Sequence, residues 1–425
     1  MEIGRESIIC PGCGCLCDDL DVTSDGEQVL EVANVCLWGV SRFLTTKKFH
    51  PRKERRRLDK PGLRVKGRSQ AVTYEAALDR AAELLRRARR PLIYGLTNSG
   101  SHAQEAALRL ARALGARLEP ADLAFMAPYY ASLKKHGLYW APLEVLRDEV
   151  EAVLFWGANP LHSCPRQVVR YTAFARGRFT ERGVEDRRVG AVDIYRTEIA
   201  KFCQLFLEIE PGQELPLIQG VRARLTGEQE ITPRVKGTKR LADFLGKAGY
   251  GAIFCGRGVS YAPAAAELFD QLMGLTAWLN QRAPFVLFPL AGDFNSAGLY
   301  HLLLRELGSP YAPDFGDPSG LAFQPAPVEF SQVDAVLVTG ADLFWFLPED
   351  QQQELKRRQV PVIALSPFAN RTTGAAQVVL PVALVGVEAE EVAYRMDGLP
   401  VALKQLVPCA WPTDRQVLDN LAALV

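Results

Sequence analysis

Short runs of apolar residues recur along most of this chain, and stretches with helical periodicity separate them. The first example passes from an apolar segment at 91–96 through a loop containing Gly100 into a helical pattern that ends on Gly115. A continuously apolar strand is typical of a parallel sheet covered on both faces. The pattern therefore predicts an α/β fold with doubly wound parallel sheets. Further strands of this type are predicted at 151–157, 189–195, 250–256, 284–289, 334–340 and 360–366.

Two of these strands are related in sequence, which indicates an internal repeat. EAVLFWGAN at 151–159 matches DAVLVTGAD at 334–342, and each copy follows a partner strand that ends in a glycine loop, at Gly95 and at Gly256. Backbone N–H groups at such strand ends can approach a phosphate or another ligand. Neither copy has a full GxGxxG motif, so tight turns are the simpler explanation of the glycines, and a ligand site is the alternative.

The chain length of 425 residues favours about three domains, and we expect four segments. The N-terminal segment is cysteine-rich and continues into a basic connector, from His50 to Ser69. This connector has the composition of a solvated linker, and docking to an acidic partner is the alternative. Short strands and loops are expected to close the chain over the main body. The predicted boundaries are 1–69 for the cysteine-rich domain, 70–235 and 236–375 for two related α/β domains, and 376–425 for the closing segment.

Composition argues against two classes of protein. Lys and Arg total 50 and Asp and Glu total 49, whereas a general nucleic-acid binder would carry a broad positive face. No run of about 18 apolar residues is present, so we expect no membrane-spanning helix. The N-terminus also lacks the basic and apolar regions of a secretion signal. We therefore expect a cytoplasmic protein whose cysteines stay reduced.

Five of the nine cysteines fall within the first 36 residues, and four of them have the spacing of a metal site. Cys10, Cys13, Cys17 and Cys36 form the pattern C-x2-C-x3-C-x18-C. Three closely spaced thiolates can surround one metal, and a distant fourth completes the ligand set. The x3 gap favours a [4Fe–4S] cluster, with Zn²⁺ and four unliganded thiols as alternatives. Cys15 is left over, and we expect it to be a small buried or outward-facing side chain.

Five motifs, spread over nearly the whole chain, resemble the B subunit of formylmethanofuran dehydrogenase, within the molybdopterin oxidoreductases. The resemblance implies a molybdopterin-oxidoreductase-like fold. In that family, the B subunit holds molybdenum or tungsten on two pyranopterin guanine dinucleotides beside a [4Fe–4S] cluster, and it interconverts CO2 or formate with a formyl group. The motifs are CPGCGCLCDDL at 10–20, GANPLHSCPR at 157–166, EIEPGQELPLIQGVRARL at 208–225, AGDFNSAGLYHLL at 291–303 and VEAEEVAYRMDGLP at 387–400.

The sequence departs from this family at the position of the catalytic metal ligand. The family has a cysteine or selenocysteine in a C-H-G-P-like segment, and the equivalent stretch here, 121–128, places Phe125 at that position. A phenyl ring has no lone pair to donate, so the resemblance implies that the Mo/W-bis-pterin centre is absent. Met126 is a weak thioether, and we expect it to make an apolar loop contact.

Further departures follow the fourth cluster cysteine and the second strand. Leu37 and Trp38 stand where related enzymes often carry Lys or Arg. The 157–166 motif has Cys164, and Gln167 follows it, at two positions where the family tends to have His. The remaining candidates for binding a ligand are weak, because solvated surface positions explain each of them as well. They are His162 and Arg166 in this loop, and Arg257 and Arg371, which follow strand ends and could line a cleft.

These departures point to a bacterial relative, the B subunit of the formyltransferase/hydrolase complex in tetrahydromethanopterin-linked oxidation of formaldehyde to formate. The resemblance implies partner chains of the amidohydrolase, formyltransferase and C-subunit types, and a methanofuran-like carrier as a further partner. No catalytic residue is assigned, and whether this chain is itself an enzyme stays open. One alternative is an active Mo/W formylmethanofuran dehydrogenase subunit in which Cys164 or another group replaces the lost ligand. The other is an electron-transfer subunit that keeps only the Fe–S cluster.

Overall fold

The computed structural model describes residues 8–44, 57–228 and 235–425, and the chain divides into two compact units. Unit 1 comprises residues up to Leu123 together with 293–395 and 400–425, and unit 2 comprises 124–292 and 396–399. Within the described ranges, no helix is both long and apolar enough to cross a lipid bilayer.

The described strands are numbered here in chain order. They are β1 (Asp21–Ser24), β2 (Val29–Ala33), β3 (Gly62–Val65), β4 (Arg68–Ala71), β5 (Pro91–Gly95), β6 (Arg117–Pro120), β7 (Ala152–Trp156), β8 (Arg188–Asp193), β9 (Leu205–Glu208), β10 (Gly251–Cys255), β11 (Phe285–Pro289), β12 (Ala312–Asp314), β13 (Ala322–Gln324), β14 (Ala335–Thr339), β15 (Val362–Ser366), β16 (Val378–Pro381), β17 (Glu391–Tyr394) and β18 (Pro400–Leu403).

The described helices are numbered in the same way. They are α1 (Leu37–Phe43), α2 (Tyr74–Arg87), α3 (Ser101–Leu114), α4 (Leu123–His136), α5 (Leu143–Glu149), α6 (Pro160–Ser163), α7 (Pro165–Arg170), α8 (Glu214–Thr226), α9 (Thr238–Gly246), α10 (Ala265–Leu279), α11 (Ser296–Leu307), α12 (Leu343–Phe346), α13 (Glu349–Arg357), α14 (Arg371–Ala375) and α15 (Asp414–Leu424), with short 3-10 helices at Gly183–Glu185, Glu198–Phe202, Arg257–Tyr261 and Phe330–Gln332.

Unit 1 contains a nine-stranded sheet with the order β13-β12-β6-β5-β14-β15-β16-β3-β4. The five central strands, from β6 to β16, are mutually parallel, and antiparallel strands flank them on both sides. Every residue of β5, β14 and β15 is buried. This burial is what a parallel sheet covered on both faces requires, and the predicted α/β fold class is confirmed.

Unit 2 contains a five-stranded, wholly parallel sheet with the order β11-β10-β7-β8-β9. Phe155, Phe254 and Phe288 lie opposite one another on its three neighbouring strands. Their ring centroids are 5.7 Å and 5.6 Å apart, so the aromatic rings stack across the sheet. Aromatic pairs at this separation add to the stabilisation that burial provides.

The pairing of the repeated strands differs from the sequence-based expectation. β7 pairs with β10, which follows it in the chain, and β14 pairs with β5, which lies about 240 residues earlier. The expectation that each copy pairs with the glycine-ended strand just before it is therefore wrong. Parallel pairing needs only a crossover connection, so the partner of a strand need not be close in sequence. The contiguous domains 70–235 and 236–375 thus each contribute strands to both sheets.

The described part of the cysteine-rich segment packs into unit 1 and does not stand apart from it. Leu16 is buried in one apolar cluster with Phe294, Val385, Ala393 and Leu403. These partners come from the later stretches of unit 1, which lie far away in sequence. The basic connector predicted at 50–69 falls partly outside the described residues, and from residue 62 it forms the β3–β4 hairpin at the edge of the sheet.

A C-terminal helix, α15, is present where the sequence indicated only short strands and loops. It begins after Thr413, which forms a reciprocal capping box with Gln416. The buried positions Val417, Leu418 and Leu421 form its apolar face, which packs on α3 and α2. The signal was therefore in the sequence, as a Thr-x-x-Gln cap followed by helical spacing of apolar residues.

The first residue of α15, Asp414, makes the stability of unit 1 dependent on pH. Burial, with the neighbouring Glu391 carboxylate, raises the pKa of Asp414 from 3.8 to about 6. The folded protein therefore binds this proton more tightly than the unfolded chain does, so the free energy of unfolding decreases as pH rises from about 4 to about 6. Above that range the cost of the buried charge is fully present.

We expect Asp414→Asn to increase the free energy of unfolding at pH 7 by up to about 3 kcal/mol, because the buried charge is removed. The variant should also lose the pH dependence between about 4 and 6, as measured by urea denaturation. Asp419→Asn is the matched control, because Asp419 lies on the same helix, is 40% exposed and pairs with Arg109. That variant should change stability by less than about 1 kcal/mol. Equal pH profiles for wild type and Asp414→Asn would contradict the assignment.

Candidate functional site

The N-terminal cysteines lie on a tight loop. The Cys10 N–H donates to the Cys17 carbonyl at 2.8 Å, and the Leu16 N–H donates to the Cys13 carbonyl at 3.1 Å. Leu16 has a φ of +40°, which lets the chain turn back while its side chain enters the apolar cluster. Cys10, Cys13 and Cys17 are all buried. The loop therefore holds three thiols in a small volume that water does not reach freely.

Cys36 brings the fourth predicted thiol to this group. It directly precedes α1, and its carbonyl accepts a hydrogen bond from Val40 at 2.9 Å. Burial raises the pKa of the Cys10 thiol well above its ordinary value, and the charges of Cys13, Cys17 and Cys36 raise it further. The Cys10 thiol is therefore near enough to each of the other three predicted thiols to feel their charge, and a bound cation would relieve this repulsion.

Two glycines leave space around the Cys10 sulfur. A Cβ at Gly39 would lie 2.8 Å from the Cys10 Sγ, and one at Gly12 would lie 3.1 Å from it. Side chains at either position would occupy the room beside the thiol. A buried, all-sulfur donor set with space kept open next to it fits a metal ion or an iron–sulfur cluster. The buried cysteines of this loop could thus bind a metal.

Cys15 is buried, which is one of the two environments that the sequence analysis predicted for it. Its side chain has no exposed surface, and its Sγ lies within 4.8 Å of the Cys13 Sγ. That distance places Cys15 near enough to compete with the predicted ligands. The choice of Cys10, Cys13, Cys17 and Cys36 as the ligand set therefore stays a prediction.

A second candidate region lies in unit 1, where the strand order reverses between β5 and β14. The loops after these strands are bonded to each other, because the N–H of Leu96 donates to the Thr339 carbonyl at 2.7 Å and that of Asn98 to the Gly340 carbonyl at 3.2 Å. Gly95 has a φ of +112°, and a Cβ there would overlap the Thr339 carbonyl. The glycine is thus required by the close approach of two loops at a topological switch point.

Unit 2 repeats this geometry between β7 and β10. The N–H of Gly256 donates to the Trp156 carbonyl at 2.9 Å, and that of Gly258 donates to the Gly157 carbonyl at 3.0 Å. A Cβ at Gly256 would overlap the Gly157 carbonyl. The repeated sequence therefore encodes the same crossing of two glycine-containing loops in each unit. In open α/β sheets, ligands bind at switch points of this kind.

Polar atoms without a protein partner lie at the carboxyl ends of β7 and β8. Asn159 Nδ2 donates to Glu198 at 2.6 Å, and His162 Nε2 lies 3.6 Å from the same carboxylate. Asn159 Oδ1 and Thr197 Oγ1 are buried and have no hydrogen-bond partner among the described residues. Since buried polar atoms are normally paired, these two are available to a bound ligand or to water. Asn159, Thr197 and Glu198 were not among the predicted site residues, although each follows a predicted strand.

At the corresponding edge of unit 1, Asp342 organises the loop after β14. Its carboxylate accepts hydrogen bonds from the Thr372 N–H at 2.9 Å and from the Thr372 hydroxyl at 2.6 Å, which fixes the start of α14. The guanidinium of the neighbouring Arg371 lies 4.4 Å from the ring centroid of Trp345. Arg371 is therefore exposed at a strand end and stacked on an aromatic ring, and its role in lining a cleft stays a prediction.

Helix α1 connects the cysteine loop with the unit 1 switch point. Arg42 Nη2 donates to Asn98 Oδ1 at 3.0 Å, and its guanidinium lies 5.9 Å from the Phe294 ring centroid. Asn295 is fully buried, donates to the Ser99 carbonyl at 2.9 Å, and accepts from the Tyr394 N–H at 2.8 Å. The motif at 291–303 thus has a structural explanation, because its asparagine joins three segments of unit 1.

Phe125, the predicted position of the lost metal ligand, lies within unit 2 in helix α4. It is 2% exposed, and its ring centroid is 5.8 Å from that of Phe269. Met126 is buried in the same helix. The expected location in a loop is therefore wrong, although the side chain is buried. The helical pattern was obscured by Pro128, which the helix accommodates. Neither Phe125 nor its aromatic neighbour offers a lone pair that could hold molybdenum or tungsten.

The weaker predicted residues occupy different environments within unit 2. The His162 side chain is 70% exposed, whereas Arg166 is half-buried in α7. Cys164 is fully buried, and its Sγ lies 3.6 Å from the Ala291 carbonyl. Arg257 is half-exposed and begins the 3-10 helix after β10. Their roles as binding residues stay predictions.

Comparison with known proteins gives full-length relatives. The B subunit of tungsten-containing formylmethanofuran dehydrogenase 2 from Methanocaldococcus jannaschii is 29% identical and aligns over 98% of this chain and 97% of its own length. The same subunit from Methanococcus maripaludis is 28% identical and aligns over 99% of this chain and 98% of its own length. Over nearly its full length, the chain is similar to the B subunit of tungsten-containing formylmethanofuran dehydrogenase. The resemblance predicted from the five motifs is thus confirmed. No protein-family model matches the chain.

Solved structures confirm the fold of this chain. The formyltransferase/hydrolase complex FhcABCD from Methylorubrum extorquens, solved with methylofuran, contains a chain with a TM-score of 0.65 and 22% identity, covering 83% of this chain and 96% of that one. Acetylene hydratase from Pelobacter acetylenicus gives a TM-score of 0.71 at 15% identity, and the match covers 99% of this chain and 69% of that one. The molybdopterin-oxidoreductase-like fold predicted from the sequence is therefore confirmed.

Proposed function

We propose that this chain is the B subunit of a formyltransferase/hydrolase-type complex in tetrahydromethanopterin-linked one-carbon metabolism, and that it carries out no Mo/W chemistry of its own. The observation that carries the proposal is the side chain at position 125. Phe125 lies in helix α4, where its buried ring packs against that of Phe269. In the family, the residue at this position would have to reach the metal. A phenyl ring can neither ligate a metal nor be converted into a ligand by a change of protonation.

Similarity to known proteins supports the proposal. Both full-length homologues are subunits of a formylmethanofuran dehydrogenase, and the complex with the same fold is a formyltransferase/hydrolase. We therefore infer that chains of the amidohydrolase, formyltransferase and C-subunit types surround this chain, and that a methanofuran-like carrier is bound by the complex. The redox state assumed for the nine cysteines makes a cytoplasmic location part of the same proposal.

The cysteine loop has a structural role in this proposal. We infer that Cys10, Cys13, Cys17 and Cys36 hold a [4Fe–4S] cluster, with Zn²⁺ as the alternative. When bound, such a group links the loop to the start of α1, and its binding free energy becomes folding free energy for this part of unit 1. The electrostatic effect of the Cys13, Cys17 and Cys36 thiols on Cys10 supports this assignment.

Purification from the native host, with elemental analysis and mass spectrometry of the co-purifying chains, tests the proposal. We expect iron or zinc in a fixed ratio to this chain, molybdenum and tungsten at background, and several partner chains in stoichiometric amount. Stoichiometric molybdenum or tungsten with extractable pterin would replace the proposal by the active dehydrogenase subunit. A reducible iron–sulfur signal without a formyltransferase or hydrolase partner would replace it by the electron-transfer subunit.

A further inference from the structure

A loop of unit 2 exposes an aromatic ring to solvent close to two arginine side chains. In this segment, residues 172–182, Phe179 is 56% exposed, and Arg176 and Arg178 are both exposed. The Arg178 guanidinium carbon lies 5.2 Å from the centroid of the Phe179 ring. An exposed phenylalanine stacked on arginine loses the hydrophobic stabilisation that a buried one provides, so its exposure calls for an explanation.

The 172–182 loop is held firmly from below by a buried arginine. Arg187 has no exposed surface and donates to the Arg147 carbonyl at 2.6 Å, to Thr180 Oγ1 at 2.8 Å and to the Thr172 carbonyl. The N–H of Arg178 donates to the Asp148 carbonyl at 2.7 Å. These bonds fix the loop near both of its ends. Phe179 is therefore presented on an ordered support, and a preorganised side chain loses little entropy when a partner binds.

Apolar and basic side chains continue beside this loop. The rings of Phe174 and Phe202 meet edge to face at 4.9 Å, and Phe202 is 39% exposed. Val169 is 59% exposed. It lies next to this loop, because the N–H of Phe174 donates to the carbonyl of Val168. Lys201, next to Phe202, is also exposed. We call the 172–182 loop together with Val169, Lys201 and Phe202 the aromatic–basic surface.

The charge of the aromatic–basic surface is unbalanced. Arg176 and Arg178 form no ion pair with any residue in the part of the chain that the structure describes, whereas Arg182 pairs with Asp186 at 2.5 Å. Glu181 is the exposed carboxylate within the loop. Arginine and aromatic residues are the side chains that contribute most to protein–protein interfaces. The surface thus carries more positive than negative charge, and a binding partner with carboxylates would balance it.

We propose that the aromatic–basic surface docks an acidic segment of another polypeptide, whose carboxylates pair with Arg176 and Arg178 and whose apolar side chains cover Phe179 and Phe202. A nucleic acid would offer negative charge and stacking bases too, but the whole chain has a net charge of only +1, and aliphatic Val169 gives a base nothing to stack on. The inference rests on the proposed function, because the partner would be another chain of the complex.

Photo-crosslinking in the native complex tests the docking. Phe179→p-benzoylphenylalanine, expressed in the native host, should crosslink on irradiation to an Asp/Glu-rich segment of a partner chain, identified by mass spectrometry. Leu321→p-benzoylphenylalanine is the control, because Leu321 is 46% exposed and lies outside the surface. A complex that contains its partner chains but gives no crosslink at Phe179 contradicts the docking alone. A crosslink to RNA contradicts it as well, and a chain without partner chains contradicts the proposed function together with it.

Charge reversal provides the second measurement. The double variant Arg176→Glu/Arg178→Glu should lower the recovery of the crosslinked partner at least tenfold, and the loss should be matched in part by wild type at high salt. The melting temperature of the isolated variant should stay that of wild type, since both side chains are exposed. Full recovery of every partner chain with the double variant would overturn the proposal.

Discussion

We expect Cys13→Ala to release the proposed metal of the N-terminal loop and to make the first 60 residues sensitive to protease, whereas Cys15→Ala should leave both properties unchanged. The two thiols lie within 4.8 Å of each other and are both buried. The two thiols therefore have similar environments, and only Cys13 is assigned as a metal ligand. Comparing the two variants thus distinguishes the loss of a ligand from the loss of a nearby thiol. Loss of one ligand weakens the coupling of metal binding to folding.

Metal content per chain, measured by inductively coupled plasma mass spectrometry, and limited proteolysis give the two readouts. Loss of metal in Cys15→Ala with retention in Cys13→Ala would overturn the assignment of Cys10, Cys13, Cys17 and Cys36. Unchanged protease sensitivity in both variants would show that no metal stabilises the loop.

Arg187→Met should lower the free energy of unfolding by about 2–4 kcal/mol, which is a large part of the stability of an ordinary domain. Burial lowers the pKa of Arg187 to about 10, so the side chain still carries its charge at pH 7. Its donors satisfy the carbonyls of Arg147 and Thr172 and the hydroxyl of Thr180. Methionine fills a similar volume without a donor, so the Arg147 carbonyl would be buried and unpaired. The Thr172 carbonyl would keep only the hydrogen bond that it accepts from the Ala175 N–H at 3.0 Å.

Arg178→Met is the matched control for this variant. Both arginines serve the same loop, but Arg178 is exposed, so its replacement should change stability by less than about 0.5 kcal/mol. Urea denaturation of the two purified variants measures the difference. Equal stabilities would show that the buried guanidinium does not hold the 172–182 loop.

Local signals in the sequence were sufficient for the central strands and the fold class. β5, β7, β10, β14 and β15 were predicted because their residues are almost all apolar, and the structure buries every one of them. The partner of each strand could not be predicted, since β5 and β14 are joined by bonds between residues about 240 positions apart. A continuous run of apolar residues indicates that a strand is central in a sheet, but it does not indicate which strand pairs with it.

The candidate site was predictable only where spacing itself carries chemistry. The cysteine pattern indicated a four-thiol group because ligand types and intervals are restricted by metal geometry. Asn159 and Thr197 escaped detection because asparagine and threonine after a strand are common in turns. Their significance depends on burial without a hydrogen-bond partner, which only the folded chain can create.

The division of unit 1 into separate stretches of chain has a consequence for biosynthesis. During translation, β5 and β6 leave the ribosome more than 200 residues before β14. Strand β5 therefore lacks its parallel partner β14 during this interval. The five strands of unit 2 are complete once residue 289 has been made, and they can therefore assemble first. Until β14 arrives, the apolar edge of β5 is uncovered, and this nascent intermediate is the one for which a chaperone would matter most.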